Sequence, residues 1–286
     1  MPDPQRLLNT LRQATIAFRN APGLHGRYLE LPPEAEDVVV AGDLHGNLVN
    51  FKKLLDYADL ARRPRRHFVV QELIHGATLY DEGGDQSHRL VDLVAALKCL
   101  HPTRVHYLLG NHELAQWTSQ AITKNGADLN HIFMVGISTA YGDFADRIYQ
   151  AYCDLFSALP VAIRLANRIF LSHSLPGIKR LGDWKLSQIQ KEVFLKEDFL
   201  LGGAVHSLVW GRDLGADTVQ RFLERVDADL LVTGHIPCDD GYQIPNPRQL
   251  IIDSKDEYGA AVLIPARAPL EHADLLAGLI RLGQLP

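Results

Sequence analysis

Four short segments of the chain place metal-ligand side chains directly after a predicted β-strand. They are Gly42-Asp43-Leu44-His45, Gly110-Asn111-His112, Ser172-His173-Ser174 and Thr233-Gly234-His235. Carboxylate and amide oxygens together with imidazole nitrogens form a mixed ligand set that suits a divalent metal ion. In open α/β sheets, sites form at the carboxyl ends of the strands, so these side chains can meet at one edge. The four segments together predict a metal site.

Each segment also has a structural interpretation when it is taken alone. Asp43 could cap the helix that follows it, and Asn111 could be a helix N-cap beside a hydrogen-bonded histidine. A lone histidine at a strand end, such as His173 or His235, is more often a structural residue than a ligand. Four strand ends that all offer Asp, Asn or His are hard to explain in this way, and the joint pattern favours the metal site.

The elements that position these residues follow from the spacing of apolar side chains. Predicted strands at 38–41, 68–70 and 105–109 alternate with helical stripes over 48–58 and 90–97, which is typical of a mostly parallel sheet covered by helices. Further strands are predicted at 161–163, 169–171, 208–210, 230–232, 250–252 and 261–263. Their close spacing favours antiparallel pairing in a second sheet. We therefore predict one α/β domain over 1–286, with helices at 4–19 and 270–283 as appendages.

Composition excludes several classes of protein. The 286 residues carry a formal net charge of −5 and are 47% hydrophobic, which argues against a binder of nucleic-acid polymers or anionic membranes. No apolar stretch approaches the roughly 20 residues that span a bilayer. Cys99, Cys153 and Cys238 are scattered and odd in number, which favours a reducing compartment. We expect a cytoplasmic protein with no membrane partner.

The motifs GDLHGN, GNHE, LSHS and TGH resemble, in this order, the signature motifs of the calcineurin-like metallophosphoesterases. The similarity is greatest to the phosphoprotein phosphatases within that superfamily, and it runs from about Val38 to about Val262. It implies a two-sheet β-sandwich flanked by helices and a centre of two divalent ions, with Mn, Fe or Zn as the expected metals.

The resemblance also implies roles for individual residues. Asp43 and His45 would hold the first metal, and Asn111, His173 and His235 the second. His112 would be a catalytic histidine that is not a ligand. The segment 209–213 resembles the place of a phosphate-clamping arginine, so Arg212 would bind substrate together with Asn111.

One family motif, Gly-Asp-x-x-Asp-Arg-Gly, is missing after the second strand. An alignment on that strand places Glu72 at the position that bridges both metals, and an alignment on the next helix, through Ser87, offers Asp81, Glu82 or Asp85 instead. We prefer Glu72, because strand ends hold ligands more rigidly than loops.

Two other residues of the missing motif have no clear counterpart here. The arginine is absent, since Gly76 or Gly83 stands in its place. The aspartate that orients the catalytic histidine could be replaced by His75, Asp81 or Asp85, and the sequence does not choose among them.

The predicted function is metal-dependent phosphoester hydrolysis. A hydroxide that bridges two metals would attack phosphorus in line, and His112 would protonate the departing oxygen as general acid. Glu113 is expected to support the loop geometry. The substrate would be a phosphomonoester, such as phosphoserine or phosphothreonine in a protein, or a nucleoside polyphosphate. The alternative is a phosphatase-like binding or regulatory module with weak or no catalysis, which the missing motif favours.

Overall fold

The computed structural model describes residues 3–286. The helices are α1 Pro4–Arg19, α2 Leu48–Ala58, α3 His88–Leu100, α4 Asn111–Thr118, α5 Leu129–Tyr141, α6 Ala145–Phe156, α7 Ile178–Leu181, α8 Ser187–Gln190, α9 Lys196–Phe199, α10 Ala204–Trp210, α11 Ala216–Arg225 and α12 His272–Ala277. Short 3-10 turns cover Gly142–Phe144 and Leu282–Gln284. The strands are β1 Leu24–His25, β2 Tyr28–Glu30, β3 Asp37–Asp43, β4 Arg66–Gln71, β5 Val105–Leu108, β6 Thr123–Lys124, β7 Ala127–Asp128, β8 Ala162–Arg164, β9 Ile169–Ser172, β10 Leu230–Thr233, β11 Tyr242–Asn246, β12 Gln249–Ile252, β13 Ala260–Pro265 and β14 Leu279–Arg281.

A five-stranded sheet has the order β14-β13-β3-β4-β5. Its strands β3, β4 and β5 are parallel and are joined by α2 and α3, as the strand–helix alternation predicts. Asn47 starts α2 by accepting a hydrogen bond from the backbone N–H of Asn50. The Asn47 and Asn50 amides also donate to the carbonyls of Lys255 and Ser254, so this helix start holds the loop after β12. The carboxyl ends of the three parallel strands therefore share one edge.

The second sheet has seven strands in the order β1-β2-β8-β9-β10-β12-β11. The expected antiparallel pairing is only partly correct. Strands β8 and β9 are antiparallel, as are β11 and β12, but β9, β10 and β12 are mutually parallel. Helices α7 to α11 lie between β9 and β10 in the chain, and such a crossover permits parallel pairing.

The two sheets pack face to face, and alternate residues of each strand divide between two apolar cores. Val38 and Val40 of β3 meet Leu171 and Val232 of the other sheet in the core between the sheets. Val39 lies on the opposite face, in the core under the helices. This period of two is the side-chain alternation of a β-strand. The predicted α/β class with two packed sheets flanked by helices is confirmed.

Of the two helices predicted at the ends of the chain, the structure contains the first over its full length and only part of the second. Helix α1 spans Pro4–Arg19, with Asp3 as its N-cap, and its buried residues Leu11 and Phe18 belong to the helix-covered core. The predicted helix over 270–283 is wrong beyond Ala277, because Gly278 ends α12 and Leu279–Arg281 pairs antiparallel with β13. The assignment of the chain to one domain stays a prediction.

The predicted strand at 208–210 is also wrong, since these residues end α10. Its buried side chains Ala204, Val205, Leu208 and Val209 recur at the spacing of one helix face, and a short apolar window hides this period. Within residues 3–286, no helix is long and apolar enough to cross a membrane. The three cysteines are free thiols, and the cellular compartment stays a prediction.

Candidate metal centre

The site is built where strands of both sheets end. Strand β3 ends at Asp43, β4 ends one residue before Glu72, and Asn111 begins the helix after β5. His173 follows β9 directly, and His235 comes two residues after β10. The sequence-predicted ligands are therefore brought to one edge of the sandwich, with contributions from both sheets.

The backbone at the site is unusual. Four non-glycine residues, His45, Glu72, His75 and His235, have φ values of 42°, 44°, 63° and 69°. This left-handed region is uncommon outside glycine and costs conformational free energy, and residues held there cluster at functional sites. All four of these residues lie where the candidate ligands converge, so the backbone strain is concentrated at the candidate site.

A first group of ligand atoms gathers around the Asn111 amide oxygen. His235 Nδ1 lies 2.8 Å from Asn111 Oδ1, and His173 Nε2 lies 3.0 Å from it. Glu72 Oε2 lies 3.2 Å from the same His173 nitrogen. Gln71 Nε2 donates to the Ala41 carbonyl, which turns its Oε1 toward His173 Nδ1 at 2.9 Å.

A second group gathers around the other Glu72 oxygen. Glu72 Oε1 lies 3.7 Å from His45 Nε2 and 3.5 Å from His112 Nε2. The His45 ring is fixed because its Nδ1 lies 2.9 Å from the Ile74 carbonyl oxygen and donates to it. Candidate ligand atoms therefore converge in two clusters, His45–Glu72–His112 and Asp43–Glu72–His173, in which all such atoms lie within 4.8 Å of one another. Glu72 is the residue common to both.

The donor set fits bound cations. Burial lowers the pKa of His173 well below its usual value, so its ring is neutral and carries one N–H. His173 Nδ1 carries this N–H and donates it to Gln71 Oε1. The lone pair on His173 Nε2 then faces the oxygens of Asn111 and Glu72. Lone pairs that face one another are unfavourable unless a proton or a cation lies among them. His235 Nε2 is also buried and has no hydrogen-bond partner anywhere in the described chain.

The pKa shifts of the buried carboxyl and imidazole groups also indicate a site that suits a cation. Burial, and then repulsion from Asp253, raises the pKa of Asp43 to about 8. Burial, followed by repulsion from Asp43 and Glu113, raises the pKa of Glu72 well above its usual range. Burial also lowers the pKa of His235 to about 3. A divalent cation compensates buried carboxylates and requires neutral imidazoles, so this arrangement is suited to binding one.

Close packing fixes the ligands further. Glu113 Oε1 accepts hydrogen bonds from the backbone N–H of Leu73 at 2.8 Å and from the hydroxyl of Tyr107 at 2.7 Å, which holds the turn after Glu72. A Cβ at Gly110 would lie 2.2 Å from Glu72 Oε2, so this position requires glycine. Glu113 thus has the loop-supporting geometry that was expected of it.

The centre opens into a cavity of about 440 Å³. Asp43, His45, Glu72, Asn111, His112 and His235 line its floor, whereas His173 is completely buried behind them. The cavity is also lined by Ile122, Thr123, Lys124, Leu129, Trp210, Arg212, Pro237 and Lys255. Arg212 is exposed and follows α10 by two residues, so a cationic side chain faces the candidate metal centre.

Comparison with known proteins agrees with this geometry. The sequence model of the calcineurin-like phosphoesterases matches residues 37–239. The chain belongs to the calcineurin-like phosphoesterase family. Members of this metallophosphoesterase family use divalent metals, and the matched segment contains every candidate ligand described above.

Among curated proteins, this calcineurin-like phosphoesterase is similar to a probable serine/threonine-protein phosphatase of Encephalitozoon cuniculi, with 28% identity over 237 residues. The aligned region covers 78% of this chain and 47% of the relative, so the chain spans about half the relative's length.

Two solved structures have a similar fold. A protein serine/threonine phosphatase from Saccharomyces cerevisiae matches with a TM-score of 0.68 and 20% identity, covering 98% of this chain and 89% of that one. A cold-active protein-tyrosine phosphatase from a psychrophilic Shewanella matches with a TM-score of 0.60 and 13% identity, covering 85% and 78%.

The structure separates the alternatives for the missing motif of this phosphoesterase. Asp81 and Glu82 are exposed and do not line the cavity. Asp85 is buried, but its carboxylate accepts from the Ser87 hydroxyl at 2.6 Å and from the Gly76 N–H at 3.2 Å. Glu72 alone among these acids lies at the centre, and His75 contacts His112.

Sequence reasoning missed three residues around the site. Gln71 stands where the missing motif has its glycine when the second strands are aligned, and nothing in that alignment indicates its contact with His173. Asp253 and Lys255 follow β12, where they form an ion pair beside Asp43. The rule that strand ends carry sites could have found Asp253, since β12 is a parallel neighbour of β10.

Proposed function

We propose that this chain is a metal-dependent phosphoesterase that hydrolyses a phosphomonoester or a nucleoside polyphosphate. The observation that carries the proposal is the position of Glu72, whose two carboxylate oxygens each face a different group of candidate ligands. A carboxylate shared in this way is the arrangement that a two-metal phosphoesterase requires of a bridging ligand.

His45 and Glu72 would hold one ion, and Glu72, Asn111, His173 and His235 would hold the other. The family resemblance pairs Asp43 with His45, but the Asp43 carboxylate clusters with Glu72 and His173, so it would ligate on that side. When bound, the ions would supply electrophilic stabilisation of the phosphate and would lower the pKa of a water toward roughly 7. Gln71 and the Ile74 carbonyl orient the rings of His173 and His45. Such outer contacts keep the ligating nitrogens turned toward the centre.

The cavity walls would bind the phosphate group. Arg212 can donate two parallel hydrogen bonds to non-bridging oxygens, which suits a planar guanidinium. The Asn111 side chain lies on the cavity floor and can contact the same group. Lys124 and Lys255 line the cavity as well, and Lys255 is paired with Asp253. These side chains would attract an anionic substrate and stabilise charge that develops on phosphorus oxygens.

His112 would act as the general acid. Its Nδ1 is engaged by His75, and its Nε2 points toward Glu72 and the cavity. Because His112 Nδ1–H is donated to His75, Nε2 first binds a second proton, and the imidazolium so formed can deliver that proton to the departing oxygen of the ester. Positioned proton transfer of this kind contributes roughly 10²–10⁴-fold to rate.

The test is hydrolysis of an aryl phosphate by protein that has been stripped with a chelator and reloaded with Mn²⁺, Fe²⁺ or Zn²⁺. We expect turnover with at least one ion and its loss in Glu72→Gln. The matched control is Glu82→Gln, the same change at an exposed acid of the 81–85 loop, which should retain activity. Metal binding without turnover under every condition would instead support the phosphatase-like binding or regulatory module.

The class of substrate can be tested in the same preparation. The similar Encephalitozoon protein is described as a probable serine/threonine-protein phosphatase, which supports phosphoserine or phosphothreonine as the first substrate to test. We expect a higher kcat/KM for a phosphothreonine peptide than for a dinucleoside tetraphosphate. The reverse order would favour the nucleoside polyphosphate.

A further inference from the structure

Two imidazole rings meet at the edge of the candidate centre. His75 Nδ1 lies 2.5 Å from His112 Nδ1, and the rings are nearly perpendicular, at 77°. Two ring nitrogens at this distance share one proton, so one ring donates and the other accepts. The direction of this hydrogen bond decides which His112 nitrogen carries a proton.

Gln116 sets that direction. Gln116 Nε2 donates a hydrogen bond to the Tyr149 hydroxyl oxygen at 2.9 Å. The same hydroxyl donates its own proton to the Gln116 backbone carbonyl at 3.4 Å. The amide oxygen Oε1 is thereby turned toward His75 Nε2, at 3.0 Å. A carbonyl oxygen can only accept, so His75 carries its proton on Nε2. Nδ1 of a neutral His75 ring is then an acceptor, and His112 Nδ1 is the donor.

The main chain holds His75 in this position. Its φ of 63° lies in the left-handed region, and its N–H donates to the Ser87 hydroxyl at 3.0 Å. The ring also makes an edge contact with Phe133. Burial lowers the pKa of His75 to about 4, which keeps the ring neutral and able to accept.

We propose that His75 is a positioning residue for His112: it accepts the Nδ1 proton of His112 and so holds His112 Nε2 toward Glu72 and the cavity. This inference rests on the proposed function for its effect on rate, but the hydrogen bond exists independently of turnover. A chain of hydrogen bonds from Tyr149 of α6 through Gln116 and His75 thus reaches His112, the proposed general acid.

The first test is NMR of protein labelled with ¹⁵N-histidine, without metal and loaded with diamagnetic Zn²⁺. His112→Asn assigns the His112 signals. In the wild type we expect the tautomer of His112 that is protonated at Nδ1, and a mixture of tautomers in His75→Ala. In His75→Asn the amide oxygen can replace Nδ1 as acceptor, and asparagine tolerates the left-handed backbone, so the wild-type tautomer should return. A His112 tautomer that is the same in all three proteins would overturn the proposal.

The second test is kinetic. His75→Ala should lower kcat roughly 10²-fold, because a misplaced catalytic group loses orientation, with KM and metal content unchanged. His75→Asn should recover most of this loss. Equal losses in both variants, or loss of metal in His75→Ala, would contradict the positioning role. If the wild type shows no turnover with any ion, the proposed function fails, and the NMR result still decides whether His75 orients His112.

Discussion

The Gln71 side-chain oxygen lies 2.9 Å from His173 Nδ1 and so turns the Nε2 of this buried ring toward Glu72. This contact ties the last residue of β4 in one sheet to the residue after β9 in the other. It fixes the orientation of a candidate ligand without placing Gln71 itself among the ligands.

Gln71→Leu should therefore weaken metal binding roughly 10–100-fold, the usual cost of losing a contact that orients a ligand. Calorimetric titration of Zn²⁺ or Mn²⁺ into the metal-free protein measures the change. Gln243→Leu, the same substitution at an exposed position of β11, is the control and should leave the affinity unaltered. Equal affinities in both variants would show that His173 does not depend on this hydrogen bond.

Gly234→Ala should disturb the centre by close contact. An added Cβ would lie 2.3 Å from Asp43 Oδ1 and 2.7 Å from Gln71 Oε1, both of which are held by other hydrogen bonds. We expect a loss of about 1–3 kcal/mol in the free energy of unfolding, together with reduced metal content. Denaturant unfolding and elemental analysis report the two effects.

The matched control for this change is Gly182→Ala. No atom lies within 4 Å of a Cβ built there, and φ is −49°. This variant should be as stable as the wild type and should bind metal normally. Wild-type behaviour of Gly234→Ala would mean that Asp43 and Gln71 can move aside freely.

His112→Asn should lower the rate of the chemical step roughly 10²–10⁴-fold while metal content stays at the wild-type level. The reason is that His112 is proposed to deliver a proton and not to ligate, although its Nε2 lies near Glu72. Rate measurements are paired with metal analysis of the same samples. Loss of metal in this variant would make His112 a ligand.

Stability should fall in mild acid because of a histidine pair remote from the centre. His67 Nδ1 and His106 Nε2 are 2.9 Å apart, and both rings are buried. Burial, then the nearby Arg104 and Lys98, lowers the pKa of His67 to about 4. Above about pH 6.5 the ring is neutral in both folded and unfolded chains. As the pH falls from 6.5 to 4, only the unfolded chain binds the proton, so the free energy of unfolding decreases.

The expected decrease for His67 is on the order of 3 kcal/mol across this range. Denaturant titrations at pH 7, 6, 5 and 4 measure it. His67→Phe should flatten this part of the pH dependence, whereas His131→Asn, at an exposed histidine, should not. A profile that is equally steep in His67→Phe would assign the acid sensitivity to other groups.

Much of this architecture follows from local patterns in the sequence. The apolar run 38–41 and the turn residues after it predict a buried strand with ligands at its end. Alignment of the second strand with the family motif predicts Glu72 as the bridging residue. What the sequence does not contain is the geometry between distant strands. Gln71 therefore gives no sign that it contacts His173, and the choice among His75, Asp81 and Asp85 requires coordinates. The prediction of a strand at 208–210 is wrong because three apolar residues fit the period of a helix as well as that of a strand.

The division of the centre between the two sheets has a further consequence. Asp43 ends a strand of the five-stranded sheet, and Glu72 and Asn111 follow strands of that sheet, whereas His173 and His235 follow strands of the seven-stranded sheet. Neither sheet carries a full complement of ligands, so high-affinity ligation would arise only late in folding, once the two sheets have packed together. A chelator should accordingly loosen the packing of the two sheets while leaving amide exchange within each sheet protected.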